Sequence, residues 1–272
     1  MPRLVLDKRF RPEREADQML LTIDIGNTLI NFALWDEEEL TVAYKANTKP
    51  LRSEDEYRSV VEIFLKSKNV DAKKVDRAVI SSVVPSVGTL FRRIVNDLFH
   101  LKAKIVGPKL KTGLPIKTDN PAEVGADLVC DAVGAKTLFG NDLFIVDLGT
   151  ANKFLYVDGE GAFAGCAIAP GLAMGASTLN KDTAALPEIS LLKPDHVIGK
   201  NTNDSMNSGV LYTNLYAIKG FAQAFEKEAG HPLQKILTGG NAIYVKDDLP
   251  EFSYVKDLIH IGLREIEKKN RK

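Results

Sequence analysis

A short motif that occurs twice constrains the fold of this chain more than any other feature. The segments D-I-G-N-T (residues 24–28) and D-L-G-T-A (residues 147–151) begin 123 residues apart, and each follows an apolar run with the pattern of a β-strand. Around each copy, a meander of strands is followed by alternating helices and strands. One such motif is typical of an ordinary β-turn. Two in corresponding halves predict an α/β fold with an internal duplication.

Each copy of the motif brings together the residue types that a phosphate site needs. Its glycine lets backbone N–H groups point into a concavity and lets a phosphate approach closely. The threonine hydroxyl adds a donor, and the aspartate can hold Mg²⁺ directly or through water. We therefore expect the two copies to bind the phosphate groups of a nucleotide.

Two further segments extend this pattern. T-G-G-N (residues 238–241) follows a strand and precedes an expected helix, and its glycines leave room for a flat ligand such as a base or ribose. In D-N-P-A-E-V-G-A-D (residues 119–127), Asn120 is expected to cap a helix over residues 121–139. Asp127 follows two small residues on that helix. It is either a carboxylate that accepts an alcohol proton in phosphoryl transfer or a solvated helical aspartate.

Composition disfavours several other classes of protein. Lys and Arg number 36, as do Asp and Glu, so the net charge of zero gives no sign of a nucleic-acid surface. The longest uncharged run, residues 161–180, is broken by Gly and Pro and predicts no membrane span. Cys130 and Cys166 are too few for a disulfide scaffold and favour a cytoplasmic location. Residues 1–18 are highly charged and are expected to form a disordered extension.

In the order of its motifs, the chain resembles the type III pantothenate kinases, members of the acetate-kinase, Hsp70 and actin superfamily. Besides the three segments at residues 24–28, 120–127 and 147–151, the resemblance is carried by A-I-A-P-G (167–171), T-A-A-L-P (183–187), I-G-K-N-T (198–202) and T-G-G (238–240). It implies two duplicated ribonuclease-H-like domains of the actin-like ATPase type, at 19–117 and 118–272. ATP would lie in the cleft between them.

The resemblance also implies an activity and a set of site residues. The family phosphorylates pantothenate with ATP at the first step of coenzyme A synthesis, needs Mg²⁺ and a monovalent cation (K⁺ or NH₄⁺), and forms homodimers. Carried over by position, Asp127 is the catalytic base, Asp24 holds Mg²⁺ and Asp147 holds the monovalent cation. The implied ATP-binding residues are Gly26, Asn27, Thr28, Gly149, Thr150, Gly239 and Gly240. Those implied for pantothenate are Gly125, Ala126, Asp127 and Thr183.

The chain departs from the family pattern beside the substrate. The family has Arg at the position of Leu128 and often Tyr at the position of Thr118. The family's D-x-G-T-A-T-T reads D-L-G-T-A-N-K here, with Asn152 and Lys153 in place of two threonines. Leu preserves neither the charge nor the planar donors of Arg. Lys153 could mimic a monovalent cation, contact a phosphate or point to solvent.

These departures leave three functions open. The chain could be a pantothenate kinase, a kinase of another small alcohol, or a nucleotide-binding protein without kinase activity that serves as a regulator or partner subunit. We favour the first, because Asp24, Asp127 and Asp147 are all present.

Overall fold

The computed structural model describes residues 18–36 and 38–271, and the first of its sheets has five strands. These strands are β1 (Met19–Ile25), β2 (Leu29–Asp36), β3 (Glu39–Asn47), β4 (Val75–Ser82) and β5 (Lys104–Ile105). Their order is β3-β2-β1-β4-β5, with β2 antiparallel to β1 and β3, and β4 parallel to β1 and β5. Residues 1–17 of the expected N-terminal extension lie outside the described part of the chain.

A second five-stranded sheet repeats this arrangement. Its strands are β6 (Leu143–Leu148), β7 (Ala151–Val157), β8 (Phe163–Pro170), β9 (Gln234–Thr238) and β10 (Ser253–Tyr254). Their order is β10-β9-β6-β7-β8, with β7 antiparallel to β6 and β8, and β9 parallel to β6 and β10. Strand order and direction are therefore the same in both sheets, which confirms the duplication predicted from the repeated motif.

The sheets are covered by helices whose ends follow local sequence signals. The helices are α1 (Glu54–Ser67), α2 (Pro85–Phe99), α3 (Ala126–Phe139), α4 (Leu172–Lys181), α5 (Thr202–Ala229) and α6 (Leu258–Lys269). At the start of α1, Ser53 Oγ accepts from Glu56 N at 3.3 Å and Glu56 Oε2 accepts from Ser53 N at 2.8 Å. This reciprocal pair satisfies two donors at the helix start. None of the helices in the described residues is long and apolar enough to cross a membrane.

The prediction of a helix over residues 121–139 is wrong at the start of that range. A short 3₁₀ turn, Pro121–Glu123, comes first, and Asn120 caps that turn. Gly125 then has extended backbone angles (φ −59°, ψ 145°), so α3 begins only at Ala126. Asp127 consequently lies in the first turn of α3.

Helices α3 and α6 pack against each other and connect the two sheets. Helix α6 contacts β1 and β4 of the first sheet, while α3 contacts β4 as well as β6 and β7 of the second. The helix backbones touch at two glycines, since a Cβ on Gly262 would lie 1.8 Å from Cys130 O and one on Gly134 would lie 2.5 Å from Leu258 O. This contact holds the start of α3, and with it Asp127, between the sheets.

Candidate active site

The two copies of the repeated motif face each other in the structure. The turn from β1 to β2 includes Thr28, and the turn from β6 to β7 includes Thr150. Their Oγ1 atoms lie 2.9 Å apart, and both residues are exposed. The structure thus brings together the residues that the sequence predicts for phosphate binding, at 26–28 and 149–150.

Two side chains that the sequence analysis did not assign hold these turns in place. Thr48 Oγ1 donates to Gly26 O at 2.8 Å, and Asn241 Nδ2 donates to Gly149 O at 2.9 Å. Thr48 directly follows β3, and no motif signals it. Asn241 directly follows T-G-G, and this position next to the glycines was the only feature of the sequence that could have indicated its role. Both bonds tie a predicted phosphate turn to a neighbouring loop.

Gly239 packs directly against the second copy of the motif. Its φ is +95°, and a Cβ there would lie 2.5 Å from both Asp147 Oδ1 and Leu148 N. Only glycine fits this conformation and this space. The following residues form a 3₁₀ turn, Gly240–Tyr244, instead of the α-helix expected after T-G-G. Gly239 is thereby held beside the second motif turn, and Gly240 is exposed next to it.

Lys153 lies at the centre of a cluster of carboxylates. Its Nζ atom is 2.7 Å from Asp147 Oδ2 and 2.8 Å from Asp127 Oδ2. The contact with Asp147 follows from strand pairing, because the two residues are directly opposite each other in the β6–β7 ladder. The Lys153 side chain is only 19% exposed. Of the three expectations for Lys153, the one in which it points to solvent is therefore wrong.

The residues on either side of Asp127 fix the position of its carboxylate. Asp127 Oδ1 accepts a hydrogen bond from Leu128 N at 2.9 Å. A Cβ on Gly125 would lie 2.5 Å from that same oxygen, so glycine makes room for the carboxylate. Ala126 is half-buried beside it. Leu128 is 6% exposed and packs into the core, so the position of the family's Arg presents no side chain to the site.

Two further acidic residues surround the same lysine. Burial raises the pKa of Asp24 to about 7, and a hydrogen bond from Asn31 Nδ2 (3.1 Å) offsets part of that effect. Asp131 lies one turn after Asp127 on α3, and its Oδ2 has no hydrogen-bond partner in the described residues. Burial, reinforced by the charge of Asp147, raises the pKa of Asp131 well above its usual range. The sequence analysis missed Asp131, although its i+4 spacing from Asp127 placed both on one helix face.

Thr183 and Asn152 make their hydrogen bonds outside this cluster. Thr183 is exposed just after α4, and its Oγ1 donates back to Leu179 O at 2.6 Å. No hydrogen bond in the described residues ties Thr183 to Asp127. Asn152 lies on the opposite face of β7 from Lys153, as strand alternation requires, and its Nδ2 donates to Asn214 Oδ1 on α5. Of the two residues that replace threonines of the family pattern, only Lys153 therefore changes the site.

The family model of the type III pantothenate kinases matches residues 20–224, well over half of the chain. The chain belongs to the type III pantothenate kinase family. It is accordingly an ATP-dependent kinase of the first step of coenzyme A synthesis, and the activity class predicted from the motifs is confirmed. The type III pantothenate kinase of Geobacillus sp. (strain WCH70) is 35% identical over 253 residues, which cover 93% of this chain and 98% of that protein. That of Geobacillus thermodenitrificans is 34% identical over the same shares.

Solved structures with little sequence identity share the fold of this type III pantothenate kinase. Component A of the Acidaminococcus fermentans (R)-2-hydroxyglutaryl-CoA dehydratase has a TM-score of 0.55 and 14% identity, covering 93% of this chain and all (100%) of that one. The ethanolamine utilization protein EutJ from Carboxydothermus hydrogenoformans has a TM-score of 0.51 and 13% identity, covering 92% and 89%. At these identities the likeness concerns the fold alone. It confirms the predicted α/β fold with two similar halves.

Proposed function

We propose that this kinase transfers the γ-phosphoryl group of ATP to the alcohol of pantothenate at the junction between the two motif turns and the start of α3. The observation that carries the proposal is the position of Asp127, whose carboxylate shares Lys153 with Asp147 of the second turn. A base and a phosphate site are thus neighbours, as phosphoryl transfer requires.

ATP would bind along the two turns and the T-G-G loop. Residues 26–28 and 149–150 would surround the phosphates, with the hydroxyls of Thr28 and Thr150 as donors from opposite sides. The adenosine would lie over Gly239 and Gly240, where the absence of side chains leaves room for a flat ligand. Hydrogen bonds from Thr48 and Asn241 keep the turns in this arrangement.

The residues present fit one Mg²⁺ only with the phosphates as further ligands. No group of three or more acidic, His or Cys side chains in residues 18–36 and 38–271 could hold a metal alone. Mg²⁺ usually binds through one or two carboxylates and substrate phosphates. Asp24, a buried carboxyl whose pKa is raised to about 7 by that burial, is the side chain that would hold it. When bound, Mg²⁺ would neutralise charge on the phosphates.

The proton of the pantothenate alcohol would move to Asp127. In the transfer step, a bond forms between the alcohol oxygen and the γ-phosphorus. The bond from that phosphorus to the oxygen bridging the β-phosphate breaks, and ADP and 4′-phosphopantothenate leave. Gly125 and Ala126 give the alcohol access to the carboxylate, because neither carries a large side chain. Thr183 is proposed to contact the remainder of pantothenate by analogy with the family.

The oligomeric state and the location of the protein also belong to this proposal. We expect a homodimer, and exposed apolar side chains on α4, on α5 and in the connection between them support it, among them Met174, Ile198 and Tyr216. A cytoplasmic location is consistent with Cys130 and Cys166, which are both unpaired.

A kinase of another small alcohol is the second candidate. The observation that favours it is the burial of Leu128 in the core. At this position the family pattern has an Arg, which would lie beside the substrate. A guanidinium there could pair with the carboxylate of pantothenate, whereas this chain offers no such charge at that position. Offering small alcohols in place of pantothenate would distinguish the two candidates.

Asp127→Asn tests the proposed base. We expect pantothenate-dependent ADP release to fall on the order of 100- to 10,000-fold, because general-base catalysis contributes that much. The affinity for ATP, measured by calorimetry, should change little. Asp55→Asn is a matched control, since Asp55 is also a first-turn helix carboxylate but is exposed on α1. Equal turnover of Asp127→Asn and the unmodified protein would refute the role of Asp127.

A further inference from the structure

The strongest unexplained feature of the site is its internal positive charge. Lys153 Nζ lies within 2.8 Å of two carboxylates that belong to different elements, Asp127 on α3 and Asp147 on β6. Both carboxylates are themselves largely buried, at 15% and 13% exposure of their side chains. The ammonium group thus bridges the proposed base and the second motif turn.

The charges around Lys153 require a cation at this point. Asp24 and Asp131 are more deeply buried than the two bridged aspartates and add two further acidic side chains to the surroundings of Lys153. Asp127 and Asp147 approach the same ammonium group from different elements, and buried like charges are costly without a counterion. Lys153 supplies that counterion from within the chain.

A monovalent cation, which the family resemblance implies at Asp147, does not fit beside this lysine. Asp147 Oδ2 already accepts from Lys153 Nζ at 2.7 Å, and Oδ1 faces Gly239 closely enough that a Cβ there would lie 2.5 Å away. A second positive charge next to the ammonium would be repelled strongly in a poorly solvated site. The side chain is held here by strand pairing, because Lys153 and Asp147 are register partners.

We propose that the ammonium group of Lys153 takes the place of the monovalent cation, so that this kinase works without K⁺ or NH₄⁺. The inference rests on the proposed function, because it assigns the bridged carboxylates to the base and the phosphate turn. The ammonium group of lysine and a free ammonium ion carry the same charge, and both donate N–H hydrogen bonds to a carboxylate. Lys153 differs in being covalently attached, so its occupancy does not depend on the salt present.

The first test compares salts on the unmodified protein. Pantothenate-dependent ADP release is measured with Mg²⁺ in potassium, ammonium or tetramethylammonium chloride at equal ionic strength. We expect the three rates to agree within about twofold, the range left for general salt effects. Activation of the rate by K⁺ or NH₄⁺ of about tenfold or more would overturn the inference.

The second test restores the threonine of the family pattern with Lys153→Thr. In tetramethylammonium chloride we expect turnover to fall roughly 100-fold, as when a charge-stabilising group is removed from a site, and to recover in K⁺ or NH₄⁺. Independently of turnover, the melting temperature of this variant should rise by about 2 to 4 °C in K⁺, because an ion that binds only the folded state stabilises it. The unmodified protein should show no such rise.

Lys117→Thr is the matched control for the variant. Lys117 also bridges two acidic side chains, Asp158 and Glu160, at 2.7 Å each, but it is 47% exposed. We expect this variant to show neither salt-dependent turnover nor a melting shift specific to K⁺. Low turnover of Lys153→Thr in all three salts, without a melting shift in K⁺, would refute the inference and assign Lys153 to the phosphates.

The outcomes separate this inference from the proposed function. Absence of turnover by the unmodified protein in every salt would contradict the proposed function alone. The melting temperatures would then still decide whether Lys153 replaces an ion. Failure of Lys153→Thr to fold would leave the salt comparison on the unmodified protein as the deciding measurement.

Discussion

A buried histidine between the two sheets makes the stability of this protein dependent on pH. His260 on α6 is 4% exposed, and its Nδ1 lies 2.8 Å from Thr22 Oγ1 on β1. Trp35 Nε1 donates to the same hydroxyl at 3.1 Å. Burial, together with the positive charge of Lys45, lowers the pKa of His260 from 6.5 to about 4. Between these two values the folded protein keeps His260 neutral while the unfolded chain binds a proton.

The size of the effect follows from the two pKa values. The pKa of His260 is lower in the folded protein than in the unfolded chain. His260 therefore has no effect on stability above the unfolded-state pKa, and it reduces stability as the pH falls from the unfolded-state pKa toward the folded-state pKa. Each pH unit in that window costs about 1.4 kcal/mol. Between pH 7 and pH 5, the free energy of unfolding should therefore fall by about 2 kcal/mol through His260 alone.

His260→Asn provides the comparison, because asparagine binds no proton and still offers Thr22 a hydrogen-bonding partner. Urea unfolding of both proteins is followed at pH 7 and pH 5 by circular dichroism and by the fluorescence of Trp35, the single tryptophan of the chain. The difference in unfolding free energy between the two proteins should change by about 2 kcal/mol, since other titrating groups are common to both. A difference that is the same at both pH values would refute the reasoning.

Two glycine substitutions test the close contacts in the fold. Gly239→Ala would place a Cβ 2.5 Å from Asp147 Oδ1, and by displacing the phosphate turn it should lower kcat/KM for ATP on the order of 100-fold. Gly230 also has a positive φ but has open space around it, so Gly230→Ala should leave kcat/KM for ATP unchanged. Gly262→Ala would bring a Cβ within 1.8 Å of Cys130 O, and urea unfolding should show a loss of about 3 kcal/mol or more. Gly220→Ala on α5, with nothing within 4 Å, should instead gain about 0.5 to 1 kcal/mol, and equal stability of the two variants would contradict the tight packing of α3 on α6.

Local patterns in the sequence were sufficient to predict the repeated halves and most of their elements. The apolar alternation before residues 24–28 and 147–151 marks two strands that enter glycine turns, as the structure shows for β1 and β6. These signals are reliable because backbone hydrogen bonds and burial act over a few neighbouring residues. The order of the motifs was also sufficient to identify the family.

Where no local signal distinguishes two conformations, the tertiary structure decided. Residues 121–139 were expected to form one helix, yet the backbone is extended at Gly125 and α3 begins at Ala126. The Asp127 carboxylate occupies the space that a Cβ on residue 125 would need, so glycine is required there. Leu128 could have faced the substrate, but it is buried in the core that joins the sheets.

The charge arrangement of the site was also decided by the tertiary structure. From the sequence, Lys153 had three possible environments, and only the i+4 spacing from Asp127 pointed to Asp131. Only when β6 and β7 pair, and α3 packs beside them, do Asp147 and Asp127 meet the ammonium group at 2.7 and 2.8 Å. The repeat in the sequence determines which turns exist. The packing of distant elements determines which charges they share, because electrostatic interactions depend on distance and burial rather than on order along the chain.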